Sequence, residues 1–296
     1  MSGRPTKSWV LWNGGSNDMI SQILSGSELA RKRLQAITEK IRALHGGLTL
    51  ATLQVGESKA IELYAKHLKG LFDQAGIHLE CHALEVGTPE REVIRKILGL
   101  NSSPGVTGIM IFSPLPKTLD AANILDALDT RKDVEGRTFL KSHRGVFSPT
   151  ANAVMALIEA SGRRLNGLKA VVVGHSDIVG KPTAVLLMDK MATVTVCHVE
   201  TRDLEGCVRD ADIVVAAVGK PCLIQGDWIR PGAVVINVGE NVVEGRIVGD
   251  VEFEVARKHA AFISPVPGGV GPLTNVMLIE NLFRLHELEC RRNGNH

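Results

Sequence analysis

Short apolar runs alternate along the chain with longer segments whose apolar residues recur at every third or fourth position. The runs at 48–55 and 169–174 are rich in strand-forming residues and predict buried strands. The segment 25–47 has apolar residues at helical spacing and predicts an amphipathic helix that begins near Ser25 or Ser27. Alternation of this kind is typical of βαβ units around a parallel sheet, so we predict an α/β fold.

The alternation restarts near residue 150, which predicts two α/β lobes with a cleft between them. We assign residues 21–150 to the first lobe and residues 151–272 to the second. A C-terminal helix over 273–292 is predicted to pack back on the first lobe and complete it. Residues 1–20 show neither period and are predicted to be a flexible extension.

Composition and charge exclude several classes of protein. With 296 residues, 44% hydrophobic and 22% charged, the chain has the composition of an ordinary globular protein. The net charge of +2 and the aromatic content of 4% give no basis for binding nucleic acid or an anionic membrane. Five scattered cysteines without C-x-x-C spacing predict no disulfide framework and no metal site. No signal peptide or membrane span is predicted, so we expect a cytoplasmic protein.

The segment 171–182 (VVVGHSDIVGKP) predicts a strand, a glycine turn and a helix that opens at Gly180. Gly174, Ser176 and Gly180 are spaced one residue wider than the usual G-x-G-x-x-G, with serine in the middle place. Small residues at such a turn let the backbone approach a pyrophosphate, which the helix N-terminus then binds. The segment predicts a Rossmann-type dinucleotide site in the second lobe; the alternative is an ordinary α/β turn that binds nothing.

The residues after the next predicted strand bear on the choice of dinucleotide. That strand ends in CHVETRD, which offers the carboxylate of Glu200, while the glycine turn offers His175 and no arginine. A carboxylate near the adenosine ribose favours a free 2′-hydroxyl, whereas a 2′-phosphate favours arginine. NAD is therefore predicted, and Arg202 leaves NADP possible.

A rigid loop is predicted at 264–274 (SPVPGGVGPLT), where two of its prolines and three glycines fix the backbone. Its place between the last predicted strand and the C-terminal helix puts it at the predicted cleft. Such a loop is either a plain turn or part of a binding site.

Taken together, these motifs resemble those of the methylenetetrahydrofolate dehydrogenase/cyclohydrolase family. The loop, the GHSDIVGKP turn and the segments KDVEG (132–136), AVGKP (217–221) and GDW (226–228) occur in the family's order, from about Ser25 to about Arg292. The resemblance implies a catalytic lobe, a Rossmann lobe and a folate cleft between them, usually in a homodimer. It also implies oxidation of methylenetetrahydrofolate with NAD(P), followed in most members by hydrolysis of the methenyl product.

The resemblance further implies the site residues of this chain. Tyr64 and Glu135 take the places of catalytic residues. The expected substrate-binding residues are Tyr64, Glu135, Pro265, Pro267, Gly268, Gly269 and Val270. The expected cofactor-binding residues are Gly174, His175, Ser176, Ile178, Val179, Gly180, Pro182, Glu200 and Gly219.

Four positions depart from the family's pattern. Leu68 stands where the family has a lysine, Phe112 where it has a glutamine, and Ile61 where it has a serine. Glu135 replaces an aspartate. Because hydrolysis needs positioned proton transfer and hydride transfer is mainly a matter of positioning, we predict a dehydrogenase whose cyclohydrolase activity is lost or very weak.

Three other interpretations remain open from the sequence. The chain is then either a bifunctional enzyme with a rearranged base, an enzyme acting on another one-carbon carrier or pterin, or a degenerate homologue that binds folate or dinucleotide without turnover. The intact glycine turn of the second lobe argues against the last of these.

Overall fold

The computed structural model describes residues 21–44, 46–292 and 294, so the predicted extension 1–20 lies outside the described residues. The strands, in chain order, are β1 Gln22–Ile23, β2 Leu48–Val55, β3 Ile77–Leu84, β4 Gly108–Ile111, β5 Lys169–Val173, β6 Thr193–Cys197, β7 Ile213–Ala216, β8 Val234–Asn237, β9 Asn241–Val243, β10 Arg246–Val248 and β11 Phe262–Ile263. The helices are α1 Gly26–Arg42, α2 Lys59–Ala75, α3 Glu90–Ser102, α4 Ala121–Asp126, α5 Phe139–Ser142, α6 Pro149–Ala160, α7 Gly180–Asp189, α8 Leu204–Arg209, α9 Phe253–Ala256 and α10 Val270–Arg292.

Two parallel sheets organise the fold. The first has the order β3-β2-β4, and the second has the order β1-β11-β8-β7-β5-β6. The inner strands β7 and β8 of the second sheet are buried on both faces, which is why they are almost wholly apolar rather than alternating. The predicted α/β fold with parallel sheets is confirmed. The hairpin of β9 and β10 was not predicted.

Local chemistry sets the ends of the helices that carry the site. The Ser25 hydroxyl accepts from the Glu28 N–H at 3.2 Å and caps α1, so Ser25 rather than Ser27 begins that helix. Ser58 caps α2 by accepting from the Ile61 N–H at 3.5 Å. The helix ends at Gly76, whose φ of 78° favours glycine.

The long helix α10 belongs to the hydrophobic cores of both sheets. Its first half contributes Leu273 and Met277 to a cluster with residues of β5 and β7. Its second half contributes Leu282 and Leu285 to a cluster with residues of β2 and α2. The helix therefore joins the two sheets through apolar burial.

The first described strand lies in an unexpected sheet. Gln22 and Ile23 pair with Phe262 and Ile263, at the edge of the six-stranded sheet that the sequence assigned to residues 151–272. Backbone pairing of an edge strand two residues long leaves no apolar period in the sequence that would reveal it. The division of the chain near residue 150 stays a prediction.

Candidate active site

Residues from both halves of the chain meet at two adjoining cavities. A cavity of ≈ 70 Å³ is lined by Tyr64, Met110, Glu135, Arg137, Ser148, Pro149, Thr150, Ile178, Thr274 and Leu278. A wider groove of ≈ 640 Å³ is lined by Tyr64, His67, Thr150, Val238, Glu240, Pro267, Gly268, Val270, Gly271, Pro272, Thr274 and Asn275. Tyr64, Thr150 and Thr274 belong to both linings, so the two spaces form one cleft.

Tyr64 stands at the junction of the two cavities. Its hydroxyl donates to Asn275 Oδ1 at 3.2 Å, and its ring meets that of Phe112 edge to face with centroids 6.2 Å apart. Burial, and then the negative charge of Glu135, raise the pKa of Tyr64 to about 12. Tyr64 is therefore a neutral, partly buried platform at the edge of the cleft.

The three positions that depart from the family's polar residues pack into one apolar cluster. Leu68 is 0% exposed, Phe112 5% and Ile61 9%. They share this cluster with Phe72 and Leu50 of the same lobe. The lysines nearest in sequence to Leu68 do not replace it, because Lys66 is exposed and Lys69 pairs with Asp73 at 3.0 Å on the outer face of α2.

Glu135 lines the smaller cavity in company with Arg137, a residue that the sequence analysis missed. Arg137 Nε donates to Glu135 Oε2 at 2.9 Å, and Nη2 donates to Oε1 at 3.2 Å. The turn that sets the two side chains together is centred on Gly136, with a φ of 66°, where a Cβ would lie 2.4 Å from the Val146 carbonyl oxygen. Burial raises the pKa of Glu135, and Arg137 opposes that rise.

The glycine turn of the second lobe is built for close backbone approach. Gly174 has a φ of 117°, and a Cβ there would lie 2.2 Å from the Ala217 carbonyl oxygen. A Cβ on Gly180 would lie 2.0 Å from the Gly174 carbonyl oxygen. Ser176 is more than a small residue, since its hydroxyl accepts from the Val179 N–H at 3.2 Å and closes the turn. The turn fits the pyrophosphate of a dinucleotide.

A cavity of ≈ 410 Å³ opens beside this turn. Its lining consists of Val173, Gly174, His175, Ser176, His198, Val199, Thr201, Leu204, Ala217, Val218, Lys220 and Leu223. Glu200 is exposed and outside this lining, and its backbone N–H donates to His198 Nδ1 at 3.2 Å. Of the other predicted cofactor residues, Ile178 lines the smaller cavity of the cleft instead, and Pro182 is buried in the first turn of α7.

The far wall of the dinucleotide cavity is held by Asp250, a second residue that the sequence analysis missed. Its carboxylate accepts from the successive N–H groups of Val218, Gly219 and Lys220 at 2.7, 3.1 and 2.9 Å. Asn241 Nδ2 donates to the same carboxylate at 3.0 Å. A fully buried carboxylate therefore fixes the loop that contains the predicted Gly219.

The loop at 264–270 is locked against the start of α1. The Gly268 carbonyl accepts from the N–H groups of Gly26 at 2.9 Å and Ser27 at 3.2 Å. A Cβ on Gly26 would lie 1.6 Å from the Gly269 carbonyl oxygen, and one on Gly269 would lie 2.4 Å from that of Pro265. This packing presents Pro267, Gly268 and Val270 to the wider groove of the cleft.

A two-lobed α/β fold with a dinucleotide turn beside a second cleft defines the class of NAD(P)-dependent oxidoreductases. The family model "Tetrahydrofolate dehydrogenase/cyclohydrolase, catalytic domain" matches residues 24–135, and the model for the same family's NAD(P)-binding domain matches residues 148–290. The chain belongs to the tetrahydrofolate dehydrogenase/cyclohydrolase family.

Individual relatives agree with this assignment. The chain is 43% identical over 275 residues to the bifunctional protein FolD of Moorella thermoacetica, covering 89% of this chain and 98% of that protein. The bifunctional enzyme FolD of Campylobacter jejuni has a similar solved structure, with a TM-score of 0.85, 34% identity, and coverage of 91% of this chain and 99% of that one. The Trypanosoma brucei enzyme, solved with NADP cofactor and an inhibitor, has a TM-score of 0.83 at 34% identity, covering 92% and 99%.

Within the described residues, the structure contains no helix that is both long and apolar enough to cross a membrane.

Proposed function

We propose that the chain oxidises 5,10-methylenetetrahydrofolate to the 5,10-methenyl form with NAD(P), and that its cyclohydrolase activity is absent or very weak. The burial of Leu68 carries this proposal. A residue with 0% exposure inside an apolar cluster neither activates a water nor accepts a proton, and Phe112 and Ile61 extend the same apolar surface. Positioned proton transfer typically accelerates a reaction by about 10²–10⁴. Hydrolysis at this site lacks that acceleration.

Oxidation by hydride transfer depends less than hydrolysis on the polar groups that Leu68, Phe112 and Ile61 replace. NAD supplies a hydride acceptor when it is bound. The chain's own part is to hold the two reactants in contact and to exclude water. Tyr64 and Glu135 line the space proposed for the pterin, and Pro267 and Val270 line the groove proposed for the rest of the folate. Ile178, on the dinucleotide turn, faces the same cavity as Tyr64 and supports contact between the two sites.

The proposal includes a preference for NAD over NADP. The segment after β6 that lines the dinucleotide cavity contributes Val199 and Thr201, which carry no positive charge, and the acidic Glu200 stands between them in the sequence. Lys220 lines the same cavity and offers a positive charge to a 2′-phosphate, which is the reason to test both cofactors.

A second candidate is retained hydrolysis with a rearranged base. The Moorella thermoacetica and Campylobacter jejuni relatives are described as bifunctional. In the smaller cavity, Glu135 is the group suited to such a role, because it is a carboxylate and burial raises its pKa above the ordinary value of a glutamate. Arg137 does not qualify, since a guanidinium stays protonated in proteins.

A paired spectrophotometric assay separates the two candidates. One reaction follows the methenyl product forming from methylenetetrahydrofolate with NAD and, in parallel, with NADP. The other follows decay of supplied methenyltetrahydrofolate above a buffer blank. We expect oxidation with NAD and no enzymatic decay. Decay at a rate comparable to oxidation favours the second candidate, and no oxidation with either cofactor contradicts the proposed function.

The homodimer implied by the family resemblance is part of the same proposal. The hairpin of β9 and β10 carries exposed apolar side chains, with Val242 78% and Ile247 46% exposed. Apolar residues on an exposed hairpin are typical of a surface that a second copy covers. Analytical ultracentrifugation tests this point, and a monomer at micromolar concentration contradicts it.

A further inference from the structure

Arg137 and Glu135 form a partly buried ion pair inside the smaller cavity. Their side chains are only 16% and 17% exposed, and the guanidinium meets the carboxylate with two N–H donors, one to each oxygen. A third donor, Nη1, reaches the Ser113 hydroxyl at 3.1 Å. The Arg137 guanidinium is therefore held on two sides, by the Glu135 carboxylate and by the Ser113 hydroxyl.

The surrounding groups leave Arg137 as the main stabiliser of the Glu135 charge. Burial and the negative charge of Asp133 favour the neutral carboxyl, while Arg137 and, as the smallest contribution, the Ile111 backbone N–H favour the carboxylate. Asp133 itself is held by the N–H and hydroxyl of Thr138 at 2.7 and 2.8 Å. From α2, the facing group is Tyr64, which is neutral below about pH 10. Removal of Arg137 would thus leave a buried carboxyl that ionises less readily.

The geometry also leaves the carboxylate free to bind a second partner. Each carboxylate oxygen accepts at two lone-pair positions, and Arg137 uses one on each oxygen. The remaining position on each oxygen points outward, away from the other oxygen, and the Ile111 backbone N–H takes one such position, which leaves room for one N–H donor of a ligand. The aminopyrimidinone edge of a pterin carries N–H donors of this kind.

We infer that Arg137 is a positioning residue, which aligns the Glu135 carboxylate so that it accepts from an N–H donor on the aminopyrimidinone edge of the folate. The bidentate contact also depends on the length of the glutamate side chain, since an aspartate would withdraw the carboxylate from the guanidinium by about one C–C bond. Glu135 and Arg137 thus act as a unit. This inference rests on the proposed function, because it takes the folate to be the ligand of this cavity.

The first experiment measures tetrahydrofolate binding by isothermal titration calorimetry across pH 5 to 9, so that no turnover is needed. We expect Arg137→Met to weaken binding at least about tenfold near neutral pH. The acid limb of its binding curve should move to higher pH, because Glu135 without Arg137 binds its proton more tightly. Arg137→Lys should recover part of the affinity, since it keeps the charge and loses the fork.

Arg131 provides the matched control. It is also an arginine two residues after an acidic partner, with Nε donating to Asp129 Oδ2 at 2.8 Å, but its side chain is 64% exposed and outside the cleft. Arg131→Met should leave tetrahydrofolate binding and its pH dependence unchanged. Melting temperature and NAD binding check the fold of each variant. If Arg137→Met does not fold, Arg137→Lys carries the comparison with wild type.

A double-mutant cycle tests the coupling. If the pair acts as a unit, Glu135→Asp and Arg137→Met each lower the affinity for tetrahydrofolate. The double variant then binds no less tightly than whichever single variant has the lower affinity. Additive losses, or a loss for Arg137→Met of the same size at every pH, overturn the inference and indicate a merely structural arginine. A wild-type protein that does not bind tetrahydrofolate overturns the proposed function together with the inference.

Discussion

Leu68 and Tyr64 lie one helical turn apart on α2, and their surroundings differ sharply. Tyr64 keeps its hydroxyl at the edge of the cleft, in contact with Asn275. Leu68 lies wholly inside the apolar cluster beneath it. The helix thus places one residue at the surface of the cleft and the next residue of the same face in the core.

Introduction of the family's polar groups tests whether Leu68 and Phe112 account for the lack of hydrolysis that we propose. We expect Leu68→Lys with Phe112→Gln to hydrolyse methenyltetrahydrofolate at least about tenfold faster than wild type, a fraction of the ~10²–10⁴ available from proton transfer. The melting temperature should fall, because both polar groups enter an apolar cluster. The matched control is Leu68→Met, which should gain no hydrolysis. If the double variant folds and gains nothing, the cleft differs from that of a cyclohydrolase in more than these two side chains.

Tyr64 is the single tyrosine of the chain, so its ionisation is directly observable. We expect tyrosinate absorbance in the folded protein to appear with a pKa of about 12, above the ordinary value of about 10. Because the folded state binds the proton more tightly, the contribution to stability is complete below about pH 10 and is lost as pH rises toward 12. A midpoint near 10 in the folded protein would contradict the burial described for this ring.

At the scale of elements, the contact between the 264–270 loop and α1 depends on a residue without a side chain. Gly26→Ala would place a Cβ 1.6 Å from the Gly269 carbonyl oxygen, so the loop and the helix start must separate. We expect a loss of stability of about 2–4 kcal/mol and weaker folate binding, measured by denaturant unfolding and calorimetry.

Gly99→Ala is the control for this change. Gly99 lies within α3, and a Cβ there would meet nothing within 4 Å. Replacement of such a helical glycine by alanine should stabilise the protein by about 0.5–1 kcal/mol and leave folate binding unchanged. Equal effects of the two substitutions would show that the contact at Gly26 does not hold the loop.

The period of apolar residues sufficed to predict the principal elements, because buried strands and amphipathic helices are themselves apolar patterns. The motifs likewise located the glycine turn and the rigid loop. Arg137 and Asp250 escaped prediction for a physical reason: each acts through contacts whose geometry depends on a turn or on a loop distant in sequence. The sequence around a charged residue does not reveal whether that residue will be buried against a particular partner.

At the scale of the molecule, α10 couples the stability of the two sheets. Since its apolar residues belong to the cores of both, unfolding of one lobe exposes part of the other. We expect differential scanning calorimetry to show one transition, and NAD at about 100 times its Kd to raise the whole of it by about 5 °C. A scan in which part of the unfolding enthalpy does not move with NAD would show that the lobes melt independently.

The pairing of β1 with β11 has a consequence for how the chain is made. Residue 22 leaves the ribosome long before residue 262, its neighbour in the sheet. At about 5–20 residues per second, the delay is on the order of ten to fifty seconds. The three strands β2, β3 and β4 are complete early and are free to form during synthesis, whereas the edge strand and α10 wait for the end of the chain. The three-stranded sheet is thus the first part of the fold that the nascent protein is able to form, and β1 and α10 take their places only at the end of synthesis.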